Sequence, residues 1–113
     1  WGMFCGPCRS GIERSKPMRE ALRNHPDVDF LFISAEGEGP EENYRKYVDE
    51  HLSGEDVVQV SRDDFNRLME LFNFLGIPHY ETLDRMGNVV RSGLHYEEQF
   101  RLHLENLKQQ LER

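Results

Sequence analysis

From Val28 the chain is almost continuously apolar, Val28-Asp29-Phe30-Leu31-Phe32-Ile33-Ser34, ending at Ala35. A run of that kind predicts a parallel strand buried on both faces. Upstream the spacing is helical. Residues 7 to about 24 read as a helix with Cys8, Ile12, Met18 and Leu22 along one side and Glu13, Arg14, Lys16 and Arg19 in water. Pro17 falls inside it and removes a backbone donor, which predicts a kink or break near residues 14–16. Downstream, residues 36–40 form a Gly/Glu-rich loop. Residues 40–52 read as a helix with Pro40 near its first turn and Tyr44, Tyr47, Val48 and Leu52 as its apolar face.

Ser53-Gly54 ends that helix, and residues 57–60 are a short extended piece. Ser61-Arg62-Asp63-Asp64 has the form of a capping box with Asp64 in place of the usual Glu. Phe65, Leu68, Met69 and Phe72 then follow at helical spacing, a core stripe rather than a binding site, and Gly76 is the expected stop. Residues 79–84 read as a strand, Arg85-Met86-Gly87-Asn88 as a hairpin turn and residues 89–91 as the partner strand. From about Tyr96 a last helix carries Phe100, Leu104, Leu107 and Leu111 on one stripe. Alternating strands and helices ending in a hairpin and a helix define the class as α/β.

Length and charge narrow the possibilities. The 113 residues suffice for one hydrophobic core, so residues 1–113 are expected to form a single domain. A net charge of −7 argues against nucleic acid, whose phosphates need a basic surface. No apolar run approaches the length of a membrane span, and there is no repeat or low-complexity tract. The chain opens within a motif and without an initiator methionine, and so reads as a C-terminal fragment of a longer protein.

That motif is Trp1-Gly2-Met3-Phe4-Cys5-Gly6-Pro7-Cys8. Thiols two residues apart can close a small reversible disulfide, and Gly6-Pro7 suits a tight turn entering a helix. Cys5 would then sit at the helix N-terminus, where unpaired N–H groups and the macrodipole favour a thiolate. Cys8, one turn on, is placed to resolve a mixed disulfide. A Cys-x-x-Cys can also be half of a zinc site, but the chain has no other cysteine, and His25, His51, His79, His95 and His103 fall in separate expected elements. A purely structural disulfide would close too short a loop to stabilise much. Redox chemistry is the reading these residues favour.

Cys5-Gly6-Pro7-Cys8 behind Trp1 and Phe4, followed some seventy residues later by Gly76-Ile77-Pro78 and a strand–turn–strand, resembles the thioredoxin-like superfamily. The order of motifs and helices resembles the bacterial TlpA/ResA-like thiol-disulfide oxidoreductases in particular. The resemblance implies a central mixed sheet flanked by helices, here lacking the strand that precedes the cysteines. Residues 30–34 and 79–84 would flank that slot, and an isolated chain would then fold poorly or recruit a strand by exchange into a dimer.

The resemblance further implies a protein-disulfide oxidoreductase, with Cys5 as nucleophile and Cys8 as resolving thiol. Trp1, Phe4, Gly6 and Pro7 would support the site, and Ile77 with a cis Pro78 would bind substrate. Ile77 stands where threonine or valine is common in the family. No cofactor beyond the Cys5–Cys8 pair is implied. The partners would be protein thiols or disulfides and an upstream electron donor, and the location the periplasm or cell envelope. Gly-Pro between the cysteines points to a reductase. The family's buried proton acceptor has no counterpart, since Gly11 stands three residues after Cys8; Glu81 and Glu13 are the substitutes. Two rivals use the same residues: a copper-binding metallochaperone that adds a histidine such as His79 to the thiols, and an interaction module with an inactive pair.

Overall fold

The computed structural model describes residues 1–94 and 97–112, so His95 and the expected helix start at Tyr96 lie outside the described residues. In chain order the elements are α1 (Gly6–Arg23), β1 (Leu31–Ala35), α2 (Glu41–His51), β2 (Asp56–Val60), α3 (Arg62–Phe72), β3 (Tyr80–Leu83), β4 (Val89–Leu94) and α4 (Glu97–Leu111). β1 pairs with β2 in parallel, with Ile33 opposite Val58, and β3 pairs with β4 antiparallel. The strands thus form two separate two-stranded ladders, in keeping with a mixed sheet that lacks the strand before the cysteines. β1 and β3 are not hydrogen-bonded to each other, and no described strand joins the two ladders.

Strand alternation sorts the helices onto two faces. Phe32 and Val57 join Met3, Ile12, Tyr47 and Leu52, so α1 and α2 cover one face of β1–β2. Ile33, Ala35 and Val60 join Phe65 and Phe74, so α3 covers the other. β3 divides in the same way. Tyr80 stacks on Phe100 at 4.0 Å and Thr82 lies 2.7 Å from the His103 ring nitrogen, fixing α4 beside α1. His79 stacks on Phe74 at 4.1 Å, on the α3 face.

Glu36 N–H donates to Val60, so the even-numbered residues of β1 turn their backbone groups toward β2 and the odd-numbered ones away. Ile33 accordingly offers its carbonyl on the outer edge, where the Trp1 nitrogen donates to it at 2.9 Å. The segment carrying the cysteines therefore enters the fold along the free edge of β1.

Several expectations change. α1 runs unbroken through Pro17. Pro17 and Glu13 both lie on its exposed side, where water can take up the carbonyl that loses its donor. Arg19 is buried rather than in water, at 1 % exposure, on the stripe formed by Cys8, Gly11, Ile12, Ser15 and Leu22. β1 is not buried on both faces throughout, since Leu31, its first residue, is 59 % exposed. α3 stops at Phe72, before Gly76, because Asn73 takes the left-handed conformation (φ 55°) that an asparagine tolerates at a helix end. Its start is as expected: the Ser61 hydroxyl accepts from Asp64 N–H at 3.1 Å.

Candidate redox site

Cys5 is the N-cap of α1, in extended conformation (φ −90°, ψ 106°), with Gly6 and Pro7 opening the helix. Its backbone N–H donates to Gly2 and its carbonyl accepts from Arg9, so both ends of the turn are held. The Cys8 backbone N–H points at Cys5 Sγ from 3.2 Å. That donor and the helix N-terminus favour negative charge on Cys5 once the pair is reduced. Here the two cysteines are joined in a disulfide with Cα atoms 5.2 Å apart. Cys8 is 1 % exposed whereas Cys5 is half-buried, so an incoming sulfur meets Cys5 first.

The second half of the site comes from the segment between α3 and β3. The Ile77–Pro78 peptide is cis, and Pro78 is buried. Ile77 O lies 3.8 Å from Cys5 Sγ. Neither sulfur of the disulfide carries a proton, so this contact leaves the Ile77 carbonyl open to another donor. Gly2 closes the junction: a Cβ there would come within 3.0 Å of Ile77 Cδ1 and 2.7 Å of Glu38 Oε2. The structure thus sets the Cys5–Cys8 disulfide against the Ile77 carbonyl, next to the cis Pro78.

The two aromatic residues before the cysteines part ways. Trp1 stacks against Tyr44 (5.7 Å) and lies 5.6 Å from the Tyr47 ring, and its indole nitrogen is buried without a hydrogen-bond partner among the described residues. It braces the site from beneath. Phe4 is 68 % exposed beside Cys5 and is the surface residue of the two. Arg9 lies over Tyr47, 5.1 Å from the ring centroid. Burial pushes the Tyr47 phenol up from its usual pKa, and the hydrogen bond to Arg9 opposes that.

Of the carboxylates, Glu13 is exposed on α1. The Glu81 side chain is 11 % exposed and lies 3.4 Å from the His79 ring, itself 4 % exposed. His79 packs on the α3 face, and the alternation of β3 puts Glu81 there too, across the sheet from the helix that carries Cys8. Among the described residues no three His, Cys, Asp or Glu side chains are grouped to hold a metal ion.

Two participants escape a sequence reading. The loop between β1 and α2 packs on the cysteine segment, where Gly39 (φ 148°) would bring a Cβ to 2.6 Å from the Phe4 ring. Leu75 stands 96 % exposed two residues before Ile77. The glycine alternation of the loop was the one available signal for the first; nothing marked the second. Gly39→Ala should therefore cost more than Gly37→Ala. Both force a non-glycine residue into a positive φ, but a Cβ on Gly37 meets nothing within 4 Å. Urea unfolding should show a loss of about 1–3 kcal/mol for Gly39→Ala and roughly 1 for Gly37→Ala. Equal losses would mean that the loop does not pack on Phe4 in solution.

No family model and no curated protein matches the chain. Solved structures do. The thioredoxin domain of a thiol-disulfide oxidoreductase from Bacteroides vulgatus superposes with a TM-score of 0.75 at 21 % identity, over 95 % of this chain and 74 % of that one. A thiol:disulfide interchange protein from a Bacteroides species gives 0.74 at 20 % identity, over 96 % and 69 %. The fold is that of a thioredoxin domain.

Proposed function

We propose that this domain is a thiol-disulfide oxidoreductase of the TlpA/ResA-like kind, working as a reductase of protein disulfides. The observation that supports this most is the Cys5–Cys8 disulfide at the N-terminus of α1 with Ile77 O 3.8 Å from the outer sulfur. The reactive sulfur and an open backbone acceptor meet at the surface, with the resolving sulfur buried directly behind. The printed names of the Bacteroides proteins are in keeping with it.

In the reducing direction the Cys5 thiolate attacks one sulfur of a substrate disulfide. A Cys5–substrate disulfide forms, the substrate S–S bond breaks, and the second substrate sulfur leaves as a thiolate. Cys8, deprotonated, then attacks Cys5 Sγ, which closes Cys5–Cys8 and releases the first substrate sulfur. Two electrons pass from the pair to the substrate, and the two protons lost by Cys5 and Cys8 balance those taken up by the substrate thiols. A dithiol donor, the upstream partner, reverses the sequence to restore the reduced pair. An extended substrate segment donates a backbone N–H to the Ile77 carbonyl beside Pro78. Neither Glu13 nor Glu81 is assigned the Cys8 proton: the first is in water and the second across the sheet. The periplasm or cell envelope is the compartment in which we place this exchange.

The test is catalysed reduction of insulin with dithiothreitol as donor. Acceleration over dithiothreitol alone that disappears on alkylation of the reduced pair is the expected result. A rate equal to the donor alone would sink the reductase reading.

A further inference from the structure

Two exposed apolar side chains stand close in sequence to the residues that form the redox site, on different parts of the chain. Phe4 adjoins Cys5 and is 68 % exposed; Leu75, 96 % exposed, is two residues from Ile77, whose carbonyl touches Cys5 Sγ. At under about 3.8 Å per residue, both backbones lie within a few residues' reach of the reactive sulfur. Single exposed apolar residues are ordinary. These two stand on the two segments that form the redox site.

Charge says what kind of chain would cover them. The loop that packs on Phe4 carries Glu36 and Glu38, and the helix it enters begins with Glu41 and Glu42. Glu38 pairs with Arg62 at 3.7 Å and Glu41 with Arg45 at 3.5 Å. Glu36 and Glu42 are exposed and have no ion pair among the described residues. Arg9, next to Cys8, is an exposed cation near the disulfide, held over Tyr47 of α2. The chain as a whole carries −7. Such a field draws in cations and repels anions over roughly a Debye length.

We propose that Phe4, Leu75 and the acidic segment 36–42, the loop and the first residues of α2, form a docking surface for cationic polypeptide segments bearing a disulfide, with an apolar side chain of the segment seated against Phe4 and Leu75. This rests on the exchange reading above and adds substrate class to it. Electrostatic complementarity acts on encounter, so the preference belongs in the second-order rate constant and weakens with salt.

The test measures the rate at which the reduced protein reduces three peptide disulfides. They are alike except for lysine, glutamine or glutamate beside the half-cystine, and oxidised glutathione is the small reference. At low salt the lysine peptide should react about tenfold faster than the glutamate peptide, shrinking to about twofold at high salt. Glu36→Lys with Glu42→Lys should abolish or reverse that order. Leu75→Ser should lower the ratio of peptide rate to glutathione rate. Equal rates for all three peptides, or an order unmoved by the charge reversal, would overturn the docking proposal and leave the exchange reading standing. Reduction of none of the four disulfides would overturn the exchange reading itself.

Discussion

Cys8→Ser should convert the domain into a trap. Mixed with a protein disulfide after reduction, it should accumulate a covalent adduct of about one substrate per chain through Cys5, because nothing remains to attack the Cys5–substrate bond. Cys5→Ser should form no adduct at that rate, since its remaining sulfur is 1 % exposed. Turnover of insulin should fall to the level of the donor alone in both variants. The geometry assigns the roles: Cys5 Sγ faces the Ile77 carbonyl at the surface and receives the Cys8 N–H, while Cys8 lies behind it within the helix. In the reduced wild type, limiting iodoacetamide should label Cys5 over Cys8 by at least about tenfold. Mass spectrometry of the adduct and of the labelled peptide reads both. An adduct on Cys8, or preferential labelling of it, would exchange the two roles.

The parts of the fold that were legible before the structure are those written in local periodicity and turn chemistry. Phe65, Met69 and Phe72 gave α3 its face and Ser61 its start, and Gly87, with φ 85°, gave the β3–β4 hairpin its turn. Cys5-Gly6-Pro7-Cys8 carries its own helix N-terminus, so the reactive end of the site could be placed from four residues. What could not be read depends on contacts between distant segments. Arg19 looks like a solvent residue by type; only its register with Ser15 and Leu22 on the buried stripe, and Glu55 thirty-six residues away, make it a core residue. Glu81 stood out as a charge in a strand, but its face follows from Phe74 stacking on His79 and not from the strand alone. Trp1 and Phe4 are alike by type, and only the positions of Tyr44 and Tyr47 on one side and Gly39 on the other make one a brace and the other a surface.

Glu55→Gln should destabilise the domain by about 3–5 kcal/mol, a large share of the roughly 5–15 kcal/mol that holds a domain together. Glu55, immediately before β2, is 4 % exposed and accepts from Arg19 Nη1 at 2.6 Å and from Arg23. Arg19 is fully enclosed. Its Nε donates to the Ser15 hydroxyl at 3.0 Å, its Nη2 to Ile12 O at 2.7 Å, and its guanidinium lies 5.2 Å from the Phe32 ring centroid. Burial pulls the Arg19 guanidinium down from its usual pKa, and Glu55 is the main force opposing that. Removing the carboxylate leaves a charged guanidinium in the interior without its paired anion, which costs far more than the lost attraction between two solvated ions. Arg23 makes the control. It contacts the same carboxylate but is 42 % exposed, so Arg23→Ala should cost at most about 1 kcal/mol. Arg19→Met combined with Glu55→Gln removes both charges and should recover part of the loss seen in Glu55→Gln alone. Urea unfolding of the four proteins measures all three differences. A Glu55→Gln loss no larger than that of Arg23→Ala would show that Arg19 reaches water, and that α1 is not anchored to the start of β2 by this pair.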